Sequence, residues 1–233
     1  MSLNFDTLFG PYQDKIFINY DWVDIDSATG YVSYDGFATK DSVSIKYHLE
    51  KSSERSNYIS RPLGTYSAAG NYTTAGKALD IDFDTVTFKK ARIIRGMAYI
   101  KVGAGTFWNN DTGSDLQALY VIAKIRKYDG STETEIASVQ SDSSYSGVGA
   151  GAGVDVSTEF NISVDIPETV IAANESLRLT IEVWLDIETD TSVGGYLVHD
   201  PGNAEERVYT SGAFATGHTR LIFICPFKVE SWD

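Results

Sequence analysis

Leu177-Arg178-Leu179-Thr180-Ile181-Glu182-Val183-Trp184-Leu185-Asp186-Ile187 decides the fold. Its odd positions are all aliphatic, and its even positions are polar except Trp184. Side chains alternate faces along a strand, so this is one strand with a buried face and a wet face. The rhythm recurs at Ile16, Ile18, Tyr20 and Trp22, and again at Val43, Ile45, Tyr47 and Leu49. It returns at Leu79, Ile81 and Phe83, at Ala98, Ile100 and Val102 within 91–102, and at Leu119, Val121, Ala123 and Ile125. Phe160, Ile162, Val164 and Ile166 form a further run, as do Leu221, Phe223, Cys225 and Phe227. The last run also carries Ile222 and Ile224, which predicts a central strand covered on both faces. No helical period of comparable strength is present. Roughly ten to twelve strands at this spacing predict an all-β, jelly-roll-like antiparallel β-sandwich.

Between the runs lie turn residues. Ser27-Ala28-Thr29-Gly30, Tyr34-Asp35-Gly36, Gly103-Ala104-Gly105 and 109–113 read as breaks. Asp129-Gly130 between two alternating segments predicts a type I′ hairpin. Pro167 is expected to stop a strand, with a short helical turn over Pro167-Glu168-Thr169-Val170. A turn at Ala172-Ala173-Asn174-Glu175 leads into the decisive strand. Residues 51–77 have little periodicity and read as a long loop or arm. The chain divides on this basis into an N-terminal β-rich arm or extension, 1–77, and a jelly-roll-like β-sandwich, 78–233.

With 233 residues, 42% hydrophobic and 12% aromatic, a sizeable core is expected. A net charge of -13 disfavours broad nucleic-acid binding, since a phosphate surface needs clustered cations. Lys89, Lys90, Arg92 and Arg95 form the one basic cluster. Cys225 is alone, so no intrachain disulfide forms, and its apolar setting reads as core. The first residues lack a basic start and a long apolar stretch, so no secretory signal is expected, and no run has membrane-spanning length. Asn-x-Ser/Thr triplets at Asn71, Asn110, Asn161 and Asn174 then read as chance matches.

Candidate chemistry is sparse. His48, His199 and His218 are far apart, and zinc needs convergent ligands. His48 reads as a half-buried structural residue. No Gly-x-Ser-x-Gly elbow occurs, and the adjacent His199 and Asp200 would diverge in an extended chain. Asp80, Asp82 and Asp84 project from one strand face, Asp186, Glu188 and Asp190 from another strand end, and Asp24 pairs with Asp26. These carboxylates suit a solvated face that blocks edge aggregation. A calcium site and paired acids for glycoside hydrolysis are the functional alternatives. The glycines of 147–153 lack the spacing and the Lys-Ser/Thr of a phosphate loop. Trp22, Trp108, Trp184 and Trp232 could build a sugar platform, and Trp184, on the wet face, could cap a groove or anchor an interface. No catalytic, cofactor-binding or metal-ligating residue is assigned, and no cofactor is expected.

A family resemblance rests on Phe88-Lys89-Lys90-Ala91-Arg92-Ile93 and on residues 123–137, with Tyr128-Asp129-Gly130-Ser131 at their centre. It continues through Ser176-Leu177-Arg178-Leu179, Tyr196-Leu197-Val198-His199-Asp200-Pro201 and residues 219–229. Over 78–233 the chain resembles virion structural proteins of tailed phages and related viruses, of the capsid decoration or turret type. The resemblance implies a non-enzymatic capsid-shell or decoration protein, made in the host cytoplasm and located in the virion. It implies homo-oligomers, often trimers, that bind other capsid proteins, with no nucleic acid or membrane as partner. The alternative is a carbohydrate-binding module for host or glycan attachment. A glycoside hydrolase using Asp80, Asp82, Asp186 and Glu188 is a third reading.

Overall fold

The structure is a computed structural model that describes residues 29–40, 44–51, 64–67, 70–72, 74–108, 116–146, 156–187, 193–199 and 221–228. These form twelve strands: β1 (Thr29–Lys40), β2 (Ile45–Glu50), β3 (Gly64–Tyr66), β4 (Gly76–Asp84), β5 (Arg92–Trp108), β6 (Leu116–Tyr128), β7 (Glu133–Gln140), β8 (Ser144–Ser146), β9 (Val156–Ile171), β10 (Ser176–Ile187), β11 (Val193–Val198) and β12 (Leu221–Lys228). The hydrogen-bonded order is β3-β11-β5-β12-β1-β2-β4-β10-β6-β7, with β8 on β6 and β9 on β5. Every pairing is antiparallel except the β2–β4 bridge at His48 and Asp84. On either side of that single-pair bridge the strands contribute to one shared core, as the two layers of an all-β sandwich do. One layer is β4-β10-β6-β7 with β8 on β6; the other holds β5, β9, β11, β12, β1 and β2, with β3 on β11. Strands β1 and β2 lie before residue 78 and are hydrogen-bonded into the same sheet as the rest.

The core is made where the inward faces of the two layers meet. Leu177, Leu179, Ile181, Val183 and Leu185 of β10 pack with Phe83, Val121, Ala98, Ile100, Phe223 and Cys225, all buried. Burial of a Leu- or Phe-sized side chain stabilises by about 1.5–3 kcal/mol. Cys225 therefore acts as a core hydrophobe, and burial pushes its thiol well above the usual range. Gly195 of β11 sets the closeness of the layers, since a Cβ there would lie 2.8 Å from the Ala78 Cβ.

Several expected breaks are strand instead. β1 runs straight through Tyr34-Asp35-Gly36. Gly36 serves packing clearance, because a Cβ there would lie 2.2 Å from Leu221 Cδ2. β5 continues through Gly103-Ala104-Gly105, which pair with Val198, Leu197 and Tyr196. β9 continues through Pro167 with no helical turn. Between the pairs Ile94–Thr169 and Gly96–Ile166, Arg95 faces both Pro167 and Glu168, so the proline sits in a bulge. Among the described strands β9 pairs with β5 alone, which makes it an edge there, the other setting that tolerates a missing donor.

The β6–β7 hairpin forms at Asp129-Gly130, but through a longer loop than a two-residue type I′ turn. Only Gly130 (φ 99) has positive φ there, and Asp129 Oδ1 accepts from the Ser131 and Thr132 amides at 2.8 and 2.7 Å. These bonds and one from the Ser131 hydroxyl hold the Asp129 carboxyl below its ordinary range. Ala172–Glu175 turns as expected, with Asn174 in the left-handed region (φ 69). β12 is central between β5 and β1, yet Ile222 and Ile224 are half-exposed, so one of its faces stays partly open.

Candidate functional site

The even positions of β10 were expected to be wet. They lie on the outer face of the β4-β10-β6-β7 layer, but Arg178, Thr180 and Glu182 are buried there. Pairing explains this. The register sets Arg178 between Asp84 and Arg126, Thr180 between Asp82 and Lys124, and Glu182 between Asp80 and Ile122. Opposite charges on neighbouring strands then close over one another.

Arg178 is the hub of the first half. Its Nε and Nη2 donate to the two Asp84 oxygens at 2.6 and 2.7 Å, a bidentate fork, and Nη1 donates to Asp82 and Glu133. Its guanidinium lies 3.9 Å from the centroid of the Tyr128 ring. Hydrogen bonding to Asp84 and the charges of Asp82 and Glu133 push its pKa further up, against desolvation. Asp82 also accepts from the Thr180 hydroxyl. Asp82 and Asp84, read as possible calcium or hydrolytic acids, are thus held by a cation of the protein itself.

The second half centres on Glu182. Its carboxylate accepts from Lys124 Nζ at 2.7 Å, Trp184 Nε1 at 2.9 Å and Lys77 Nζ at 3.3 Å. Burial works against its charge, but these three donors outweigh it and hold the carboxyl below its ordinary value. Trp184 is directly opposite Tyr120, and their rings are nearly parallel, 11° apart with centroids 6.0 Å apart. Asp186 lies two residues along the same face, and its charge, after desolvation, contributes to the raised Tyr120 pKa.

A second polar cluster lies inside, beside the β2–β4 bridge. His199 is fully buried after β11, edge-on to Tyr47 and Phe83 at ring centroids of 5.6 and 5.7 Å. Its Nε2 shares a 3.0 Å hydrogen bond with the Thr65 hydroxyl, which shares another of 2.8 Å with Tyr47. Its Nδ1 has no hydrogen-bond partner among the described residues. Burial lowers its pKa to about 3, so the ring is neutral. His48 is half-buried as expected, bonded to Thr39 at 3.0 Å and stacked on Phe37. The two histidines are not brought together, and no group of three or more metal-ligating side chains occurs among the described residues. His218, Glu188, Asp190, Asp24, Asp26, Trp22, Trp232 and the glycines of 147–153 lie outside the described residues. Sequence reasoning missed the Arg178 hub; its signal was the lone arginine on a strand face opposite three acids of the i, i+2 series Asp80, Asp82, Asp84.

No family model and no curated protein matches the sequence. Among solved structures, the chain is similar to an alpha-amino acid ester hydrolase at 8% identity, over 83% of this chain and 36% of that one, with a TM-score of 0.47. It is similar to a CocE/NonD family hydrolase from Staphylococcus aureus at 12% identity, over 82% of this chain and 41% of that one, TM-score 0.34. It is similar to VP2 of the infectious bursal disease virus subviral particle at 14% identity, over 81% of this chain and 40% of that one, TM-score 0.23. This chain therefore spans 36% to 41% of the length of these proteins. The expectation that the chain is not an enzyme is corrected here, because hydrolases stand ahead of the viral capsid protein among its neighbours. For the expected virion resemblance, a viral capsid protein, VP2, stands among the structural neighbours, and no family model, of tailed-phage proteins or any other, matches the chain. At these TM-scores the likenesses concern the β architecture and transfer neither an activity nor an assembly to this chain.

Proposed function

We propose that the chain is a building block of a virus particle, in the capsid shell or on its exterior, that associates with copies of itself. The observation that supports this is the outer face of the second layer. Register puts Tyr99 opposite Ile224 and Ile222 opposite Lys101. Tyr31 meets Tyr99 with ring centroids 6.3 Å apart. Met97 and Tyr99 are 38% and 47% exposed, and Ile222 and Ile224 are half-exposed. Apolar side chains left to water side by side on a sheet favour association. A second copy suits the patch because its rim carries both signs, Lys101 (paired with Glu159) on one side and Asp35 and Asp165 on others, which a neighbouring copy can match. The net charge of -13 opposes self-association at long range, so salt should strengthen it.

Light scattering over a concentration series tests this. The expected result is a discrete oligomer, a trimer being the first stoichiometry to look for, that falls to monomer in a folded Met97→Asp, Tyr99→Asp variant. A wild-type protein that stays monomeric at every concentration and salt would refute the proposal.

A further inference from the structure

We infer that the Tyr120–Trp184 corner of the outer β4-β10-β6-β7 face binds a neutral pyranose saccharide. The inference does not depend on assembly, because this corner and the Tyr99 patch lie on different layers of the sandwich.

The corner is built and held. The Trp184 indole cannot swing freely, since its Nε1 donates to Glu182, itself fixed by Lys124 and Lys77. Nearly parallel rings with centroids 6.0 Å apart are offset, because full face-to-face stacking would bring them closer. Part of each ring face is therefore uncovered, in keeping with the partial exposure of both residues. The β4–β10 pairing bulges between Val183 and Trp184, and the β10–β6 pairing between Asp186 and Ile187. Such irregularities re-aim side chains at the end of a strand.

The polar groups beside the rings fall into two sets. Glu182, Lys77 and Lys124 satisfy one another, and Lys77 also pairs with Asp80. The Asp186 carboxylate and the Tyr120 hydroxyl, by contrast, have no hydrogen-bond partner among the described residues. An aromatic face is electron-rich and attracts the C–H face of a pyranose, while a carboxylate and a phenol accept from and donate to its hydroxyls. Charge selects among sugars. Three carboxylates, Asp80, Glu182 and Asp186, face two ammonium groups that are already engaged, which disfavours anionic sugars. An open strand end makes few contacts, so the affinity belongs in the millimolar range.

Saturation-transfer NMR with four neutral disaccharides (lactose, maltose, cellobiose and diacetylchitobiose) tests the inference, with a sialylated trisaccharide as the anionic arm. The expected result is transfer to at least one neutral disaccharide and none to the sialylated sugar. Affinity should fall about tenfold in Trp184→Ala and in Asp186→Ala, and survive in Trp184→Phe, which keeps an aromatic face. Circular dichroism checks that each variant is folded. No transfer to any neutral sugar, equal transfer in Trp184→Ala, or binding of the anionic sugar alone would overturn the inference. A loss of oligomer mass in Trp184→Ala would assign the corner to a protein contact and overturn it equally.

Discussion

His199 should make this protein lose stability in mild acid. In the folded chain its ring is enclosed by Tyr47 and Phe83, bonded to the Thr65 hydroxyl, and faced by no charged group described here. Burial alone lowers its pKa to about 3, from an ordinary 6.5. A lowered folded-state pKa means that the unfolded chain takes up a proton first. Well above pH 6.5 neither state binds it and the group has no effect. Through and below 6.5 stability falls, at a slope that approaches about 1.4 kcal/mol per pH unit, until the folded ring itself titrates near pH 3. Between pH 6.5 and 5.0 the loss is about 1.6 kcal/mol. Urea unfolding of the wild type and of His199→Gln across this range measures it. Carboxylates such as Glu182 lose stabilisation in acid in both proteins, so the difference between the curves isolates His199. The wild-type curve should be steeper by about 1.1 kcal/mol per unit on average between pH 6.5 and 5.0, approaching about 1.4 at the acid end. Parallel curves would refute the reasoning, since they would mean that water or a counter-charge reaches the ring.

Removing the Arg178 hub with Arg178→Met should cost about 2–3 kcal/mol in chemical denaturation. That is below the usual figure for breaking a buried pair, because the stranded Asp82, Asp84 and Glu133 carboxylates keep about a third of their exposure. Gly36→Ala should destabilise by about 1–3 kcal/mol through its clash with Leu221, and Leu221→Ala in the same chain should recover part of the loss in a double-mutant cycle. Asn174→Ala should cost about 1 kcal/mol in thermal unfolding, while Asn174→Gly is neutral or better, because the position holds a left-handed φ of 69.

The strand content was legible because alternation reports directly on a sheet with one buried face. Every described run of that kind forms a strand, from Ile45 in β2 to Phe227 in β12. Errors came where a residue type had two uses. Gly36 looked like a turn former but admits Leu221, and Gly103 and Gly105 sit inside a strand. Pro167 looked like a stop but occupies a bulge on an edge. In each case the deciding neighbour is distant in sequence, so no local window contains it. The same holds for the candidate sites. Trp184 stood out as the one large apolar residue on a polar face, but its parallel partner Tyr120 and its anchor through Glu182 depend on register. The burial of His199 was not legible, because burial is a property of what packs around a residue.

The order of apolar and polar residues was by itself enough to specify strands, their buried faces, the core role of Cys225 and the turn at Asn174. These follow from backbone geometry and from interactions within a few residues. Which strands become neighbours was decided only in three dimensions. That choice sets Arg178 against Asp82, Asp84 and Glu133, turns an expected wet face into a closed ion-pair ladder, and leaves Trp184, Tyr120 and Asp186 as its open corner. The physical reason is range. A side chain's face is fixed by its own strand, whereas its charge partner and its burial are fixed by strands that can lie well over a hundred residues away.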